Sequence, residues 1–215
     1  IAPGAWELLQ DILGSWQPYA LAHCWKMPDG FDVKVKVMKP VTARIEIDEL
    51  DHATFTYEFY ENEGTKAGLS NAANVVHSMD AWILRAMHRR CNYDTVMVES
   101  VASLIQHTQR TRGILRTGST KVVGAVQDKV GYYVEQWERS GIADVVILPY
   151  LTMDTIQQVP TMLLVHLASI VKDMLSHKPF ELVTVHDEFK CLANNVNQVR
   201  FHYKELLAQI ADSNV

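Results

Sequence analysis

The stretch VHDEF at residues 185–189 ends a short apolar run and decides how the rest of the chain is interpreted. Residues 180–185 predict a strand, and His186 and Asp187 follow it directly. A buried carboxylate at a strand end is costly unless a cation neutralises it. Asp187 is therefore either a metal ligand or an ordinary turn or cap residue.

Composition limits the possible classes of protein. With 215 residues and 48% apolar composition, the chain can bury a sizeable core. A formal charge of -5 and a pI near 6.0 argue against a surface that is basic throughout and binds nucleic acid, but they do not exclude a local basic channel. Cys24, Cys91 and Cys191 form no CxxC pair, so neither a disulfide framework nor a structural zinc site is expected. We expect a reducing, cytoplasmic setting without a membrane anchor.

Hydrophobic periodicity predicts an α+β fold in which an antiparallel sheet is surrounded by helices. The pattern also starts almost at Ile1, which favours the carboxyl-terminal part of something longer. The predicted helices are 3–16, 72–91, 95–110, 121–139, 158–176 and about 196–210, and the predicted strands are 31–38, two antiparallel strands within 43–60, and 180–185.

The helix predicted over 72–91 carries polar residues at helical spacing. His77 and Asp80 are three residues apart and share a face, while Ser78 and Arg85 lie on the neighbouring one. These residues either contact a ligand or are ordinary ones, His77 a satisfied semi-buried histidine and Asp80 a first-turn acid. Asp187 and Glu188 would point to opposite faces of a strand, so a two-metal site needs a second carboxylate from elsewhere.

Several stretches occur in the order found in one polymerase family. They are AHCWKMPDGF at 22–31, KP at 39–40, TAR at 42–44, ANVVHSMD at 73–80 and HDEF at 186–189. The chain thereby resembles the carboxyl-terminal part of the single-subunit RNA polymerases of bacteriophages and mitochondria. The resemblance covers about residues 1–91 and 180–215, and residues 92–179 have no counterpart in it.

The resemblance implies a right-hand polymerase organisation. Residues 1–91 would be a palm and fingers portion, 92–179 a mainly helical insertion, and 180–215 a palm strand and turn with a closing helix.

The resemblance also implies roles for single residues. His186 and Asp187 match the last catalytic motif of the palm, in which the Asp binds two Mg²⁺ ions. His77, Ser78, Asp80 and Arg85 belong to the helix that approaches the nucleotide and the template. In the family, the histidine of this helix approaches the minor groove at the end of the primer and template. A contact in the minor groove senses the geometry of base pairing without reading the sequence.

Departures from the family pattern leave alternatives open. Glu188 and Lys190 stand where the family usually has Ser and Gly, and family A DNA polymerases use a His-Asp-Glu string at this place. Those enzymes, however, carry a Gln-centred helix where this chain has HSMD at 77–80, and they lack the Trp-x-x-Pro-Asp-Gly-Phe stretch. RNA synthesis is favoured. A family A DNA polymerase fragment and a non-catalytic DNA-binding or assembly subunit are the alternatives.

Two motifs of the family have no counterpart in the chain. These are the first palm motif, with its metal-binding Asp, and the fingers helix that grips the triphosphate. We therefore expect an inactive chain that needs a second polymerase subunit or an upstream region. The expected partners are a DNA template, an RNA transcript and ribonucleoside triphosphates, in the cytoplasm of an infected bacterial host.

A basic stretch interrupts the predicted insertion. No acid occurs between Glu99 and Asp128, whereas Arg110, Arg112, Arg116 and Lys121 do. The stretch either contacts phosphates of template or transcript, or is a solvated loop between helices.

Overall fold

The computed structural model describes residues 3–17, 19–64, 69–112, 125–186 and 188–213. The helices are α1 Pro3–Gly14, α2 Leu69–Cys91, α3 Thr95–Arg112, α4 Ala125–Ser140, α5 Thr161–Met174 and α6 Val196–Ala211. The strands are β1 Ala22–Lys26, β2 Asp32–Lys36, β3 Met38–Ile47, β4 Ala53–Gly64, β5 Val183–Val185 and β6 Glu188–Lys190. Short 3₁₀ helices lie at Asp48–Leu50, Val145–Tyr150, Thr155–Gln158 and Ala193–Asn195.

The mixture of helices with small antiparallel sheets confirms the α+β class. Within the described residues the sheets are two-stranded, pairing β1 with β2, β3 with β4, and β5 with β6. The predicted helices are present with shifted ends, whereas β1 and β6 were not predicted. None of the helices in the described part of the chain combines the length and apolarity that a membrane crossing requires.

The chain divides into two compact units, and the first comprises Ile1–Trp25 and Asp32–Ser78. Its main feature is the antiparallel ribbon of β3 and β4, which pair from Lys39 with Glu61 to Ile47 with Ala53. Two-residue alternation places apolar side chains on one face of the ribbon. Several of them are exposed, namely Ile45, Phe55, Tyr57 and Phe59.

The second unit comprises Lys26–Phe31 and Met79–Val215 and contains the main helical core. There α3 and α5 pack together, and the 3₁₀ helix Val145–Tyr150 packs against α4. Pro160 comes immediately before α5, where its missing N–H costs no helical hydrogen bond. The largest buried side chains of this core are Ile105, Ile147, Leu148, Ile156, Leu163, Leu164, Leu167 and Met174.

Candidate functional site

The Pro-Asp-Gly-Phe turn is held in a fixed shape by α4. The backbone N–H of Met27 donates to Phe31 O at 2.9 Å, and Gly30 N–H donates to Met27 O at 2.8 Å. Gly30 has a φ of 78°, and a Cβ there would lie 2.5 Å from Cε1 of Tyr132. The Tyr132 hydroxyl donates to Gly30 O at 2.7 Å. Glycine is therefore required both by conformation and by space.

Asp29, in this turn, is buried and paired with two arginines of α2. Arg85 donates to both of its oxygens, Nε at 2.7 Å and Nη2 at 3.0 Å, and Arg89 Nη2 donates at 3.2 Å. Burial raises the pKa of the Asp29 carboxyl, but the hydrogen bond and charge of Arg85 and the charge of Arg89 outweigh burial and hold this pKa below its usual value. The bidentate geometry thus fixes the turn to α2 with a charged carboxylate.

Asp144 completes the same network from the other side. It accepts from Trp82 Nε1 at 2.9 Å and from Arg89 at 3.1 and 2.7 Å, and it also accepts from Val146 N–H at 2.9 Å. Burial lowers the pKa of Arg89, but Asp144 and then Asp29 more than offset this and raise it. The network of Asp29, Arg89 and Asp144 was not predicted from the sequence. The available signal was the spacing of Trp82, Arg85 and Arg89 along one helical stripe.

The predicted nucleotide-binding residues of α2 differ in what they already contact. His77 and Asp80 are exposed. Ser78 is buried, accepts from Trp25 Nε1 at 2.9 Å, and donates to Val75 O at 2.6 Å. Arg85 is engaged with Asp29, and its guanidinium carbon lies 4.5 Å from the centre of the Phe31 ring. His77 and Asp80 therefore remain the exposed side chains of this motif.

The His-Asp motif lies in a short hairpin. β5 and β6 pair antiparallel from Val183 with Lys190 to Val185 with Glu188. His186 leaves β5 with a φ of 55° and an exposed side chain. The predicted metal ligand Asp187 lies outside the described residues. The Glu188 carboxylate lies 3.5 Å from Lys190 Nζ, and both side chains are exposed.

The predicted phosphate-binding residues are only partly described. Arg116 and Lys121 lie outside the described residues, and Arg110 is exposed at the end of α3. Arg112 donates to Val159 O at 2.7 Å, to Ile156 O at 2.8 Å and to Gln157 O at 3.1 Å. Its guanidinium thus holds the end of α3 to the segment before α5.

An acidic cluster occurs at the tip of the β3–β4 ribbon. One potential ligand atom from each of Glu46, Asp48 and His52 lies within 4.8 Å of the other two, so within the described residues these side chains form a group that could hold a metal ion. All three side chains are exposed, and His52 Nδ1 already lies 2.9 Å from Glu46 and 3.3 Å from Asp48. The cluster is generic and contains none of the predicted Mg²⁺ ligands.

No protein-family model and no curated protein matches this chain. A functional inference therefore depends on the order of the sequence motifs and on the contacts described above.

Proposed function

We propose that the chain is the carboxyl-terminal palm portion of a split DNA-directed RNA polymerase of the single-subunit type. The observation that carries the proposal is the link between two of the motifs that define the resemblance. Asp29 of the Pro-Asp-Gly-Phe turn is bonded to Arg85 of α2, the helix that carries HSMD at 77–80. The bidentate pair thus joins Asp29 to an arginine of α2 that lies 56 residues further along the chain.

This link supports a binding role for α2. Its Arg85 and Arg89 are held by buried carboxylates, so the helix is fixed by charge-assisted bonds. His77 and Asp80 keep exposed polar side chains on this fixed helix. In the proposal His77 contacts the minor-groove edge of the newest base pair, where the hydrogen-bond acceptors are nearly the same for every pair.

In the proposed reaction Asp187 would hold the two Mg²⁺ ions, and a carboxylate of the second subunit would supply the remaining protein ligand. When bound, such ions neutralise charge on the attacking and leaving oxygens of an in-line displacement. The chain's own contribution is positioning, because the β5–β6 hairpin fixes the two residues on either side of His186 and Asp187.

The small sheets also favour a missing partner. A two-stranded sheet is marginally stable by itself, and unpaired strand edges readily accept further strands. The palm fold is therefore proposed to form when a second subunit adds strands to those of this chain. That subunit would also carry the first palm Asp and the triphosphate-binding fingers helix.

Primer extension by the assembled enzyme tests the proposal. The complex is isolated through a tag on this chain and given an RNA primer, a DNA template and either ribonucleotides or deoxyribonucleotides. We expect extension with ribonucleotides, and we expect Asp187→Asn to reduce it at least about a thousandfold, since metal-bound charge stabilisation is lost. Asp154→Asn, which changes an exposed aspartate outside the motifs, is the matched control and should retain activity.

The alternatives predict other outcomes. A preference for deoxyribonucleotides would indicate the family A type of DNA polymerase. A complex that binds the primer and template but extends the primer with neither ribonucleotides nor deoxyribonucleotides would indicate a non-catalytic assembly subunit. Undiminished extension by the Asp187→Asn complex would contradict the assigned metal ligand.

A further inference from the structure

The β3–β4 ribbon has one polar face and one apolar face. Strand alternation and the pairing register place eight side chains on what we call the apolar face, namely Val41, Ala43, Ile45 and Ile47 of β3 and Ala53, Phe55, Tyr57 and Phe59 of β4. The four large ones, Ile45, Phe55, Tyr57 and Phe59, are between 38% and 53% exposed. A continuous exposed apolar patch of this kind typically marks a contact with another molecule.

Charge limits the class of molecule that can cover the apolar face. Residues 38–64 contain seven acidic side chains and two basic ones. The acids lie on the opposite face or toward the two ends of the ribbon, so the apolar face is uncharged between Val41 and Phe59. A net negative ribbon repels the phosphates of nucleic acid and of anionic lipids. An uncharged, apolar protein surface is the occupant that remains compatible.

The distribution of large and small side chains makes the apolar face complementary to itself. β4 contributes the aromatic rings, and β3 contributes smaller side chains at the paired positions: Val41 pairs with Phe59, Ala43 with Tyr57 and Ile45 with Phe55. A two-fold axis parallel to the strands lays β3 of one copy over β4 of the other. Each aromatic ring then meets a smaller side chain, as close packing of two sheets requires.

The size of the apolar face suits a weak dimer. A fully exposed aromatic side chain presents about 150–250 Å², so three rings that are about half exposed present roughly 300 Å². With the aliphatic side chains added, two copies would bury roughly 900 Å² in total, which lies at the low end of specific interfaces. We therefore expect a dissociation constant on the order of 10–100 µM.

We propose that a second copy of this chain covers the apolar face. The two ribbons pack face to face as a four-stranded sandwich, about 10 Å apart, with the two-fold axis parallel to the strands. This arrangement brings both tips to the same end, each with the exposed acids Asp48, Glu49 and Asp51. Repulsion between the tips opposes association, so the dimer forms more readily when salt screens it. The dimer requires this chain alone and is independent of the polymerase assignment.

Sedimentation equilibrium of the full chain tests the proposed surface, with two variants of neighbouring residues on opposite faces of β4. We expect Phe55→Gln to raise the dissociation constant at least about tenfold, because an apolar ring is lost from each copy. Thr56→Gln, on the polar face, is the matched control and should change it less than about twofold. Far-UV circular dichroism and urea unfolding check that both variants keep the native fold.

Two measurements on the unmodified protein give independent tests. The dissociation constant should fall at least about twofold between low and high salt, since screening weakens the repulsion between the tips. In a mixture of ¹³C-labelled and unlabelled copies, isotope-filtered NOEs should connect the Ala43 methyl group of one copy to the Tyr57 ring of the other. A chain that stays monomeric, a dimer that Phe55→Gln leaves intact, or a dimer that salt weakens would overturn the proposal and leave the apolar face to a different protein.

Discussion

Two consecutive arginines of α2 have opposite environments. Arg89 donates to Asp144 and Asp29, and these carboxylates raise its pKa against the effect of burial. Arg90 forms no ion pair among the described residues, and burial lowers its pKa to about 10. One helical step rotates a side chain by about 100°, so neighbours point into different surroundings. The difference teaches that Arg89 contributes to the fold through buried ion pairs, whereas Arg90 donates through Nη2 to the neutral side chain of Gln209.

Removing Asp144 should have the largest effect on stability. Asp144→Ala leaves the half-buried guanidinium of Arg89 and the buried indole N–H of Trp82 without their main acceptor. We expect a loss of roughly 3–5 kcal/mol in the free energy of unfolding, as for other broken buried pairs. Urea denaturation measures it, with Asp154→Asn as a control within about 0.5 kcal/mol. A loss below about 1 kcal/mol for Asp144→Ala would show that the network is not an anchor.

Replacing each arginine by methionine tests the comparison itself. Arg89→Met leaves the Asp144 carboxylate short of a cation in a buried site, and we expect a loss of roughly 3 kcal/mol. Arg90→Met removes a buried charge that has no ion pair, and we expect a change of at most about 1 kcal/mol in either direction. Denaturant unfolding of both variants gives the difference. Equal losses in the free energy of unfolding would mean that Arg89 and Arg90 contribute equally to stability.

The dependence of stability on pH should reveal the protonation of His202. Its folded pKa of about 4 lies below the ordinary histidine value of 6.5, so the unfolded chain binds the proton first. The stabilising contribution is present above pH 6.5 and is lost as the pH falls toward 4, with a slope of at most about 1.4 kcal/mol per pH unit. Asp29 acts in a lower window, because its pKa is held below 3.8.

Thermal or urea unfolding between pH 7 and pH 4 measures this effect. His202→Gln should reduce the slope over that interval, since the variant has no imidazole to titrate there. An unchanged slope would show that a group other than His202 dominates.

The smallest expected effect concerns the turn that carries Asp29. Tyr132→Phe removes the hydroxyl that donates to Gly30 O at 2.7 Å but keeps the ring in place. We expect a loss of about 1 kcal/mol, the usual net value of one hydrogen bond. Urea unfolding of this variant in the Asp144→Ala background shows whether the turn and the network are coupled. Strictly additive losses in the free energy of unfolding would show that the turn and the network stabilise the protein independently.

Local patterns accounted for much of the fold. Two-residue alternation located the β3–β4 ribbon, and helical spacing located α2, α3 and α6, because these signals need only neighbouring residues. The three-residue strand β6 is too short for alternation to reveal, and β1 shows no clear alternation.

The spacing of Trp82, Arg85 and Arg89 marks one side of the buried network, but its acidic partners could not be predicted from the sequence. Arg89 meets an aspartate 60 residues before it and another 55 residues after it, and only the tertiary fold brings these partners together. Likewise, nothing in the sequence indicates that His177 and His202 form a hydrogen bond with each other. By contrast, the motifs of the proposed site were located through the resemblance, which supplied their order.

Iron-mediated cleavage of the assembled enzyme tests the central claim most directly. Fe²⁺ replaces Mg²⁺ in the complex with primer and template, and hydroxyl radicals generated at the bound ion cut the nearby backbone. The proposed function predicts cleavage of this chain around residues 185–189 that excess Mg²⁺ suppresses and that Asp187→Asn removes. Cleavage that is absent there, or that persists unchanged in Asp187→Asn, would contradict it.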